Sequence, residues 1–225
     1  VSLRMLLGVT TDVVDQTATN PDAARESVRA LVGRDASTLS PAALRSAAVE
    51  SAAENLADGF VAPLGAFAAG ATLGLAVAPA AALPLGVAAA VWVKAVNTLD
   101  SMLGYRSKPV GWASARLDDA VMLVPARASA GCLAVATGSL TSLRRARSWA
   151  REPASPNSGW PMATAAVALD VRLEKPGNYA LNPDAEAPTV ADGRDAVRLV
   201  GVAGGVAVAV TAGWLLAFAG VIAWL

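Results

Sequence analysis

The chain has 225 residues, of which 55% are hydrophobic and only 16% are charged. Soluble domains usually carry about a quarter charged residues, so this sequence is short of the polar surface that a soluble fold needs. Lysine plus arginine and aspartate plus glutamate balance at 18 each, which argues against a broad basic surface for nucleic acid. One cysteine and no histidine argue against disulfide, zinc, haem and iron–sulfur sites, and against Cys-His or Ser-His-Asp nucleophiles. Any bound metal is therefore a hard cation on oxygen ligands.

Residues 1–58 form a polar region that we predict to be helical. Asn20-Pro21 and Ser40-Pro41 are each typical of a helix start, with an N-cap residue followed by proline at the first helical position. On the second helix Glu50, Glu54 and Asp58 recur every four residues and share one face, where like charges repel. Either a cation or an arginine compensates them or the face is simply solvated, and the spacing alone does not decide.

Residues 59–143 hold two apolar stretches around a polar motif segment, 94–119. The first stretch, Gly59–Val93, has no charge in 35 positions. One straight helix of that length would measure about 50 Å, whereas a bilayer core is about 30 Å thick. Prolines 63, 79 and 84 therefore predict a broken pair of helices, over 64–77 and 84–96, or a re-entrant hairpin.

Two further apolar segments follow in the chain. Residues 120–143 hold a single charge, Arg127, and residues 199–225 hold none, so the latter is the clearest transmembrane helix. A polar loop region, 144–198, separates them. Apolar helices could instead form the core of a large soluble bundle, but an uncharged run of 27 residues is hard to bury in a protein of this size. The sequence predicts one all-α domain, 1–225, of a polytopic integral membrane protein with re-entrant or Pro-broken segments and polar helical loops.

Polar residues gather where the apolar stretches end. Lys94 and Asn97 fall on one helical stripe, although Lys94 could serve only as an interfacial anchor. Asp118 and Asp119 stand directly before the second apolar stretch, where two carboxylates are costly unless they are neutralised or bind a cation. An aspartate pair of this kind commonly holds Mg²⁺ together with a phosphate-bearing substrate.

A rigid turn is predicted at Ser155–Pro161, which contains two prolines and one glycine. Its Trp160 either packs on a ligand ring or anchors the chain at the membrane interface. Residues 182–195 are rich in proline and acidic residues and are expected to form an irregular connection. The sequence contains no glycine-rich phosphate loop of the Walker or dinucleotide-binding type, so any nucleotide binds through a different kind of site.

These polar segments together resemble the motifs of the CobD/CbiB family, the membrane-bound adenosylcobinamide-phosphate synthases of cobalamin biosynthesis. The matching segments, in the family's order, are Val32–Asp35, Glu50–Gly59 with Ala62–Leu64, Lys94–Met102 with Gly104–Tyr105, Gly111–Asp119 with Pro125–Arg127, and Ser155–Asn157 with Gly159–Pro161. Each motif alone is weak, but five in order are highly specific, and they cover the chain from about residue 20 onward. Family members usually have further hydrophobic segments upstream, and Leu173–Tyr179 departs from the family's glycine-rich pattern.

The resemblance implies a ligase that joins a free propionate of adenosylcobyric acid to aminopropanol or its phosphate, with ATP and Mg²⁺. It also implies a multi-pass protein of the cell membrane that forms complexes with other cobalamin-assembly enzymes. We expect six carboxylates to act as cation ligands, the last two for Mg²⁺: Glu50, Glu54, Asp58, Asp100, Asp118 and Asp119. Four side chains are expected to neutralise phosphate or the substrate carboxylate, with the last counted as catalytic: Arg34, Lys94, Arg106 and Arg116. Three amides are expected to hydrogen-bond the corrin amides, beside Trp160 in the substrate-binding set: Asn55, Asn97 and Asn157.

Two other functions stay open at this point. A transporter also places acidic residues beside broken apolar helices, but it predicts internal pseudo-repeats that the sequence does not show. A non-catalytic membrane scaffold for corrinoid enzymes is the second alternative. If the motifs build one site, they must lie on one side of the bilayer or meet within it. The stretches 59–93 and 120–143 must then each re-enter or cross an even number of times.

Overall fold

The computed structural model describes residues 2–33, 35–104 and 109–224, and it confirms a predominantly helical chain. The α-helices of the described residues are α1 (Leu3–Thr19), α2 (Pro21–Val28), α3 (Pro41–Leu56), α4 (Ala62–Val77), α5 (Ala82–Leu103), α6 (Pro109–Val121), α7 (Leu123–Ala136), α8 (Thr141–Ala146), α9 (Gly159–Leu169) and α10 (Val190–Trp224). The remaining elements are a π-helical turn (Ala57–Val61), a 3₁₀ turn (Pro79–Ala81), and the antiparallel strands β1 (Leu173–Lys175) and β2 (Tyr179–Leu181).

Several helices have the length and apolar composition of membrane spans. Within the described residues three qualify: Pro41–Val77, which joins α3 to α4 through the π-helical turn, Pro79–Leu103, and α10. The pair α6 and α7 makes a fourth only if both helices count as one span, and they meet at a bend of 47°. The multi-pass architecture predicted from the sequence is therefore confirmed.

The predicted helix starts are also present. The Ser40 hydroxyl accepts a hydrogen bond from the Ala43 N–H at 3.2 Å, and the Asn20 side chain accepts one from the Ala23 N–H at 3.2 Å. Each cap satisfies an amide that the first helical turn leaves without a partner. The start of α10 differs from the prediction, because the helix begins at Val190 and so includes part of the segment expected to be irregular.

The π-helical turn lies where the polar and apolar parts of the first long helix meet. Pro63 has no N–H to donate to the carbonyl of Gly59 four residues earlier, so the regular α-helical ladder cannot run unbroken through this point. The Ala62 N–H instead bonds the carbonyl of Ala57, five residues earlier. Turns of this kind are rare and frequently mark functional sites. Asp58 lies within this turn.

Helices α4 and α5 form the broken pair predicted from the prolines, with the turn at Pro79–Ala81 between them. Glycines allow the two helices to pack closely. A Cβ added at Gly70 would collide with the backbone of Leu85, and one added at Gly86 would lie 2.9 Å from the ring of Phe67. Small residues at such contacts are characteristic of helix pairs in membranes, where close packing replaces the hydrophobic effect as the driving force.

Helix α3 lies between two buried apolar clusters. One cluster joins it to α7, α9 and α10 and includes Leu56, Leu133 and Met162. The other joins it to α1 and α2 and includes Val13 and Leu44. Because both sides of α3 are covered, the polar side chains on this helix are held inside the protein at fixed positions.

Candidate functional site

The acidic face of α3 points into the protein and not into solvent. Glu50 is only 5% exposed. Its two carboxylate oxygens accept hydrogen bonds from the Ser46 hydroxyl at 2.8 Å and from the Tyr179 hydroxyl at 2.7 Å. The interpretation of this face as a solvated surface is therefore wrong for Glu50, whose charge is compensated by buried donors.

Asp58 belongs to a chain of polar contacts between the π-helical turn and α5. The Asn97 amide donates to the Asp58 carboxylate at 3.3 Å, and Lys94 donates to the Asn97 carbonyl oxygen at 3.1 Å. Asn97 is 8% exposed, and its side chain also faces Asp118 of α6. Asn97 thus lies between two carboxylates that are 60 residues apart in the sequence, beside one lysine.

Five side chains from α3, the π-helical turn, α5 and α6 consequently form one cluster: Glu54, Asp58, Lys94, Asn97 and Asp118. We call this group the carboxylate cluster. Glu54 and Asp118 interact electrostatically with each other and with Asp58, and Lys94 is the cation that faces Asp58 and Asp118. This packing brings three motifs that are distant in the sequence together in one site, as expected if they share a function.

The bend between α6 and α7 is fastened by Asn157, which is 4% exposed. Its amide donates to the backbone carbonyl of Asp119 at 2.7 Å, and its carbonyl oxygen accepts from Arg127 at 2.9 Å. Arg127 also donates to the carbonyl of Leu123 at 2.7 Å. Both polar atoms of Asn157 are engaged within the protein, which favours a positioning role over the predicted contact with a corrin amide.

Trp160 packs beneath the same arginine. The Arg127 guanidinium lies 5.2 Å from the centre of the Trp160 ring, a distance at which a cation is attracted to an aromatic face. Arg127 was not predicted as a site residue, although it is the one charge in the apolar stretch 120–143. A charge kept in such a stretch is costly unless it has partners, and that cost is the signal that could have identified it.

Several predicted residues lie outside the carboxylate cluster. Arg116 is exposed, with its guanidinium 5.9 Å from the centre of the Trp112 ring. Asn55 bonds the backbone and hydroxyl of Ser51 and faces α1. Asp100 is close enough to Asp118 to interact with it electrostatically. Arg34 and Arg106 fall outside the described residues.

Asp35 is the last residue of the first motif, Val32–Asp35. It lies on the surface, outside the membrane-spanning helices. Its carboxylate accepts hydrogen bonds from the Ser37 backbone N–H at 2.9 Å and the Ser37 hydroxyl at 3.0 Å. These bonds, helped by Arg29, lower the pKa of Asp35, because they favour its charged form. The contacts close the turn that leads into α3.

The hairpin β1–β2 adds two residues that the sequence did not identify as part of the site, Lys175 and Tyr179. Tyr179 reaches Glu50, and Lys175 faces Glu54. Both also line two neighbouring cavities. The first, which we call the hairpin cavity, has about 270 Å³ and lies between α3 and the hairpin. The second, the loop cavity, has about 360 Å³ and lies between the hairpin and residues 152–158. Glu54 lines both cavities.

The donor set of the cluster fits Mg²⁺ better than a metal that needs a full protein cage. In the described part of the chain, no group of three or more acidic, histidine or cysteine side chains is arranged to hold a metal. Mg²⁺ is usually held by one or two carboxylates and completes its shell with water and phosphate oxygens. One oxygen of Asp118 is buried without a hydrogen-bond partner, as a ligand position would be.

Comparison with known proteins identifies the family of this chain. The family model described as CobD/Cbib protein matches residues 1–221. A probable cobalamin biosynthesis protein CobD of Methanothrix thermoacetophila is 40% identical over 185 residues, covering 80% of this chain and 55% of the relative. The cobalamin biosynthesis protein CobD of Dehalococcoides mccartyi is 44% identical over 168 residues, covering 72% and 50%, respectively. The protein of that name from Mycobacterium tuberculosis is 43% identical over 194 residues, covering 79% and 57%.

The chain thus spans about half the length of these curated relatives. No solved structure matches it. The family model covers nearly every residue, including all the segments that build the carboxylate cluster. On this match the chain belongs to the CobD/CbiB family, whose curated relatives are cobalamin biosynthesis proteins.

Proposed function

We propose that this protein forms the amide bond between adenosylcobyric acid and aminopropanol or its phosphate. The observation that carries the proposal is the carboxylate cluster, in which Asn97 hydrogen-bonds Asp58 and Lys94 and faces Asp118. Ionisable groups gathered next to apolar helices are costly to retain, and they usually mark a functional site. Membership of a cobalamin biosynthesis family supports a corrinoid as one substrate.

Amide formation requires charge neutralisation and positioning, because an amine attacks a free carboxylate poorly. ATP and Mg²⁺, when bound, would supply the phosphoryl group that makes the carboxylate oxygen a leaving group. Asp58 and Asp118 would hold the metal ion, and Lys94 would neutralise phosphate or the substrate carboxylate. These groups come from rigid helices, and preorganised charges of this kind commonly supply much of an enzyme's rate enhancement.

Glu54 has a separate role in the proposal. It lines both cavities and interacts electrostatically with Asp118, so it is the member of the carboxylate cluster that borders the space open to a small ligand. An amine that becomes an amide nitrogen must give up protons. A carboxylate at this junction is suited to accept one, since general bases act at hydrogen-bond distance from the proton they remove.

We place the protein in the cell membrane as a multi-pass enzyme, working beside other enzymes of cobalamin assembly. The apolar helices support a location in the bilayer. Membership of a cobalamin biosynthesis family supports a position beside other enzymes of that pathway, because those enzymes would exchange corrinoid intermediates with this one. We expect no nucleic-acid partner, in agreement with the balance of 18 basic and 18 acidic residues.

The test is complementation of a strain that lacks its adenosylcobinamide-phosphate synthase and is supplied with cobyric acid where growth requires cobalamin. We expect growth with this protein and none with the Asp118→Asn variant at equal abundance in the membrane. Asp22→Asn is the matched control, because Asp22 is an exposed residue of α2 that pairs only with its neighbour Arg25 among the described contacts. Failure of the unaltered protein to support growth while it accumulates in the membrane would refute the proposal and favour a scaffold.

A further inference from the structure

The hairpin cavity has a size that excludes one of the two proposed substrates. Its volume is about 270 Å³, below the range of about 300–1,000 Å³ typical of sites for drug-sized ligands. A corrinoid, with a macrocycle and many side chains, is larger than a drug-sized ligand and cannot enter. A small amine of a few heavy atoms can.

The charge of this cavity selects among small molecules. Its described lining contains two carboxylates, Glu50 and Glu54, and one cation, Lys175, which leaves a formal charge of −1. The carboxylate of Glu50 is already engaged by Ser46 and Tyr179. Within the described residues Glu54 makes neither a hydrogen bond nor a salt bridge, although it faces Lys175 electrostatically. Among the carboxylates of the described lining, Glu54 is therefore the acceptor open to a ligand.

The rest of the cavity lining is largely apolar. Leu31, Val32 and Ala47 contribute to it, together with Gly33 and Ser51. A ligand that pairs with Glu54 would thus rest its carbon atoms on aliphatic side chains. This combination of one free carboxylate and a short apolar wall matches a short amino alcohol, whose charged end is an ammonium group.

The position of the cavity agrees with that ligand. Glu54 also lines the loop cavity and interacts electrostatically with Asp118 of the carboxylate cluster. A nitrogen held at Glu54 is consequently next to the groups that we assign to the acidic substrate. Joining the two substrates requires this adjacency, because reacting atoms must approach to about 3–3.5 Å.

We infer that the hairpin cavity is the subsite for the small amine substrate and that Glu54 receives its ammonium group. This inference rests on the proposed function for the identity of the amine. The phosphorylated and unphosphorylated amino alcohols share the ammonium group, and that group is what the cavity recognises.

The experiment measures binding and does not depend on turnover. The protein is reconstituted in lipid nanodiscs and titrated with 1-amino-2-propanol, its O-phosphate and propane-1,2-diol, with saturation-transfer NMR as the readout. We expect at least one of the two amines to bind, and the diol, which has a hydroxyl in place of the amino group, to bind at least tenfold more weakly. Tighter binding of the phosphate ester would identify it as the preferred amine.

Two variants test the location. Glu54→Gln removes the charge and is expected to weaken amine binding by roughly tenfold to a hundredfold, the range for losing a charge-assisted hydrogen bond. Gly33→Leu adds volume at the cavity wall, where a new Cβ meets no atom within 4 Å, and is expected to weaken binding without disturbing the packing. Folding of each variant is checked by thermal unfolding.

Matched controls make the same chemical changes elsewhere. Glu26→Gln alters an exposed glutamate of α2 that pairs with Arg29, and Gly8→Leu alters an exposed glycine of α1 with open space around it. Both controls are expected to keep the affinity of the unaltered protein. Amine binding that survives both Glu54→Gln and Gly33→Leu would overturn the subsite, even if the protein makes the amide. Binding lost in these variants, in a protein that makes no amide, would support the subsite and refute the proposed function.

Discussion

Replacing Asn157 with alanine removes the fastening of the α6–α7 bend. Two hydrogen bonds disappear: the one to the Asp119 carbonyl at 2.7 Å and the one from the Arg127 guanidinium at 2.9 Å. A neutral hydrogen bond contributes about 0.5–1.5 kcal/mol to stability, and one to a charged group contributes about 1.5–3 kcal/mol. Arg127 keeps its bond to Leu123 and is partly exposed, so we expect a loss of about 2–4 kcal/mol in the free energy of unfolding.

The assay is equilibrium unfolding in mixed micelles with increasing sodium dodecyl sulfate, followed by tryptophan fluorescence. Asn178→Ala is the matched control, because Asn178 is exposed and makes a single bond of 3.2 Å to the carbonyl of Pro176. We expect that control to change stability by less than about 0.5 kcal/mol, as surface substitutions usually do. Equal unfolding curves for the two variants would refute the interpretation of Asn157 as the fastening of the bend.

Three further predictions concern the cluster, the hairpin and the membrane pair. Asp118→Asn should lower amide formation by at least about a hundredfold, measured with the purified protein, because it removes a charge preorganised at the site. Tyr179→Phe should lower the free energy of unfolding by about 1–2 kcal/mol in the same micelle assay, since Glu50 loses a donor at 2.7 Å. Gly70→Ala should destabilise the protein by about 1–3 kcal/mol there, because its new Cβ meets the backbone of Leu85.

Each of these predictions has an outcome that contradicts it. Full amide formation by Asp118→Asn, at the level of the Asp22→Asn control, would remove Asp118 from the catalytic set. If Tyr179→Phe and Ser46→Ala gave strictly additive losses, the two hydroxyls would not share Glu50 as a common acceptor. Gly65→Ala is the control for the glycine contact, because a Cβ at Gly65 meets no atom within 4 Å, and equal stability of the two alanine variants would disprove that contact.

Local features of the fold could be read from the sequence because their causes are local. Ser40 caps α3 through an amide three residues away, and the prolines of the first apolar stretch break it into α4 and α5. The C-terminal part of α10, from residue 199 onward, likewise follows from an uncharged run that only a bilayer accommodates easily. These features depend on neighbours within a turn or two of helix, so one sequence is enough to predict them.

The parts of the site that were missed depend on contacts between distant segments. The Tyr179 hydroxyl reaches Glu50 across 129 positions of sequence, and no periodic pattern encodes which hairpin covers an acidic helix face. The spacing of the acids on α3 left open whether a partner compensates them or solvent covers them. Asn157 is another example: its amide was predicted to meet a substrate, which stays a prediction, and the sequence did not indicate its bonds to the backbone of α6 and to Arg127.

The π-helical turn has a geometric consequence for the first long helix. An α-helix advances by about 100° per residue, so a turn that holds roughly one residue more shifts the angular phase of everything beyond it by about that amount. The acids of α3 and the glycines of α4 lie on one continuous long helix, but the turn between them rotates one set relative to the other about the helix axis. Asp58, at the junction, belongs to the turn that sets the offset between them. One extra residue in the π-helical turn thus allows one long helix to face the hairpin with its acids and α5 with its glycines.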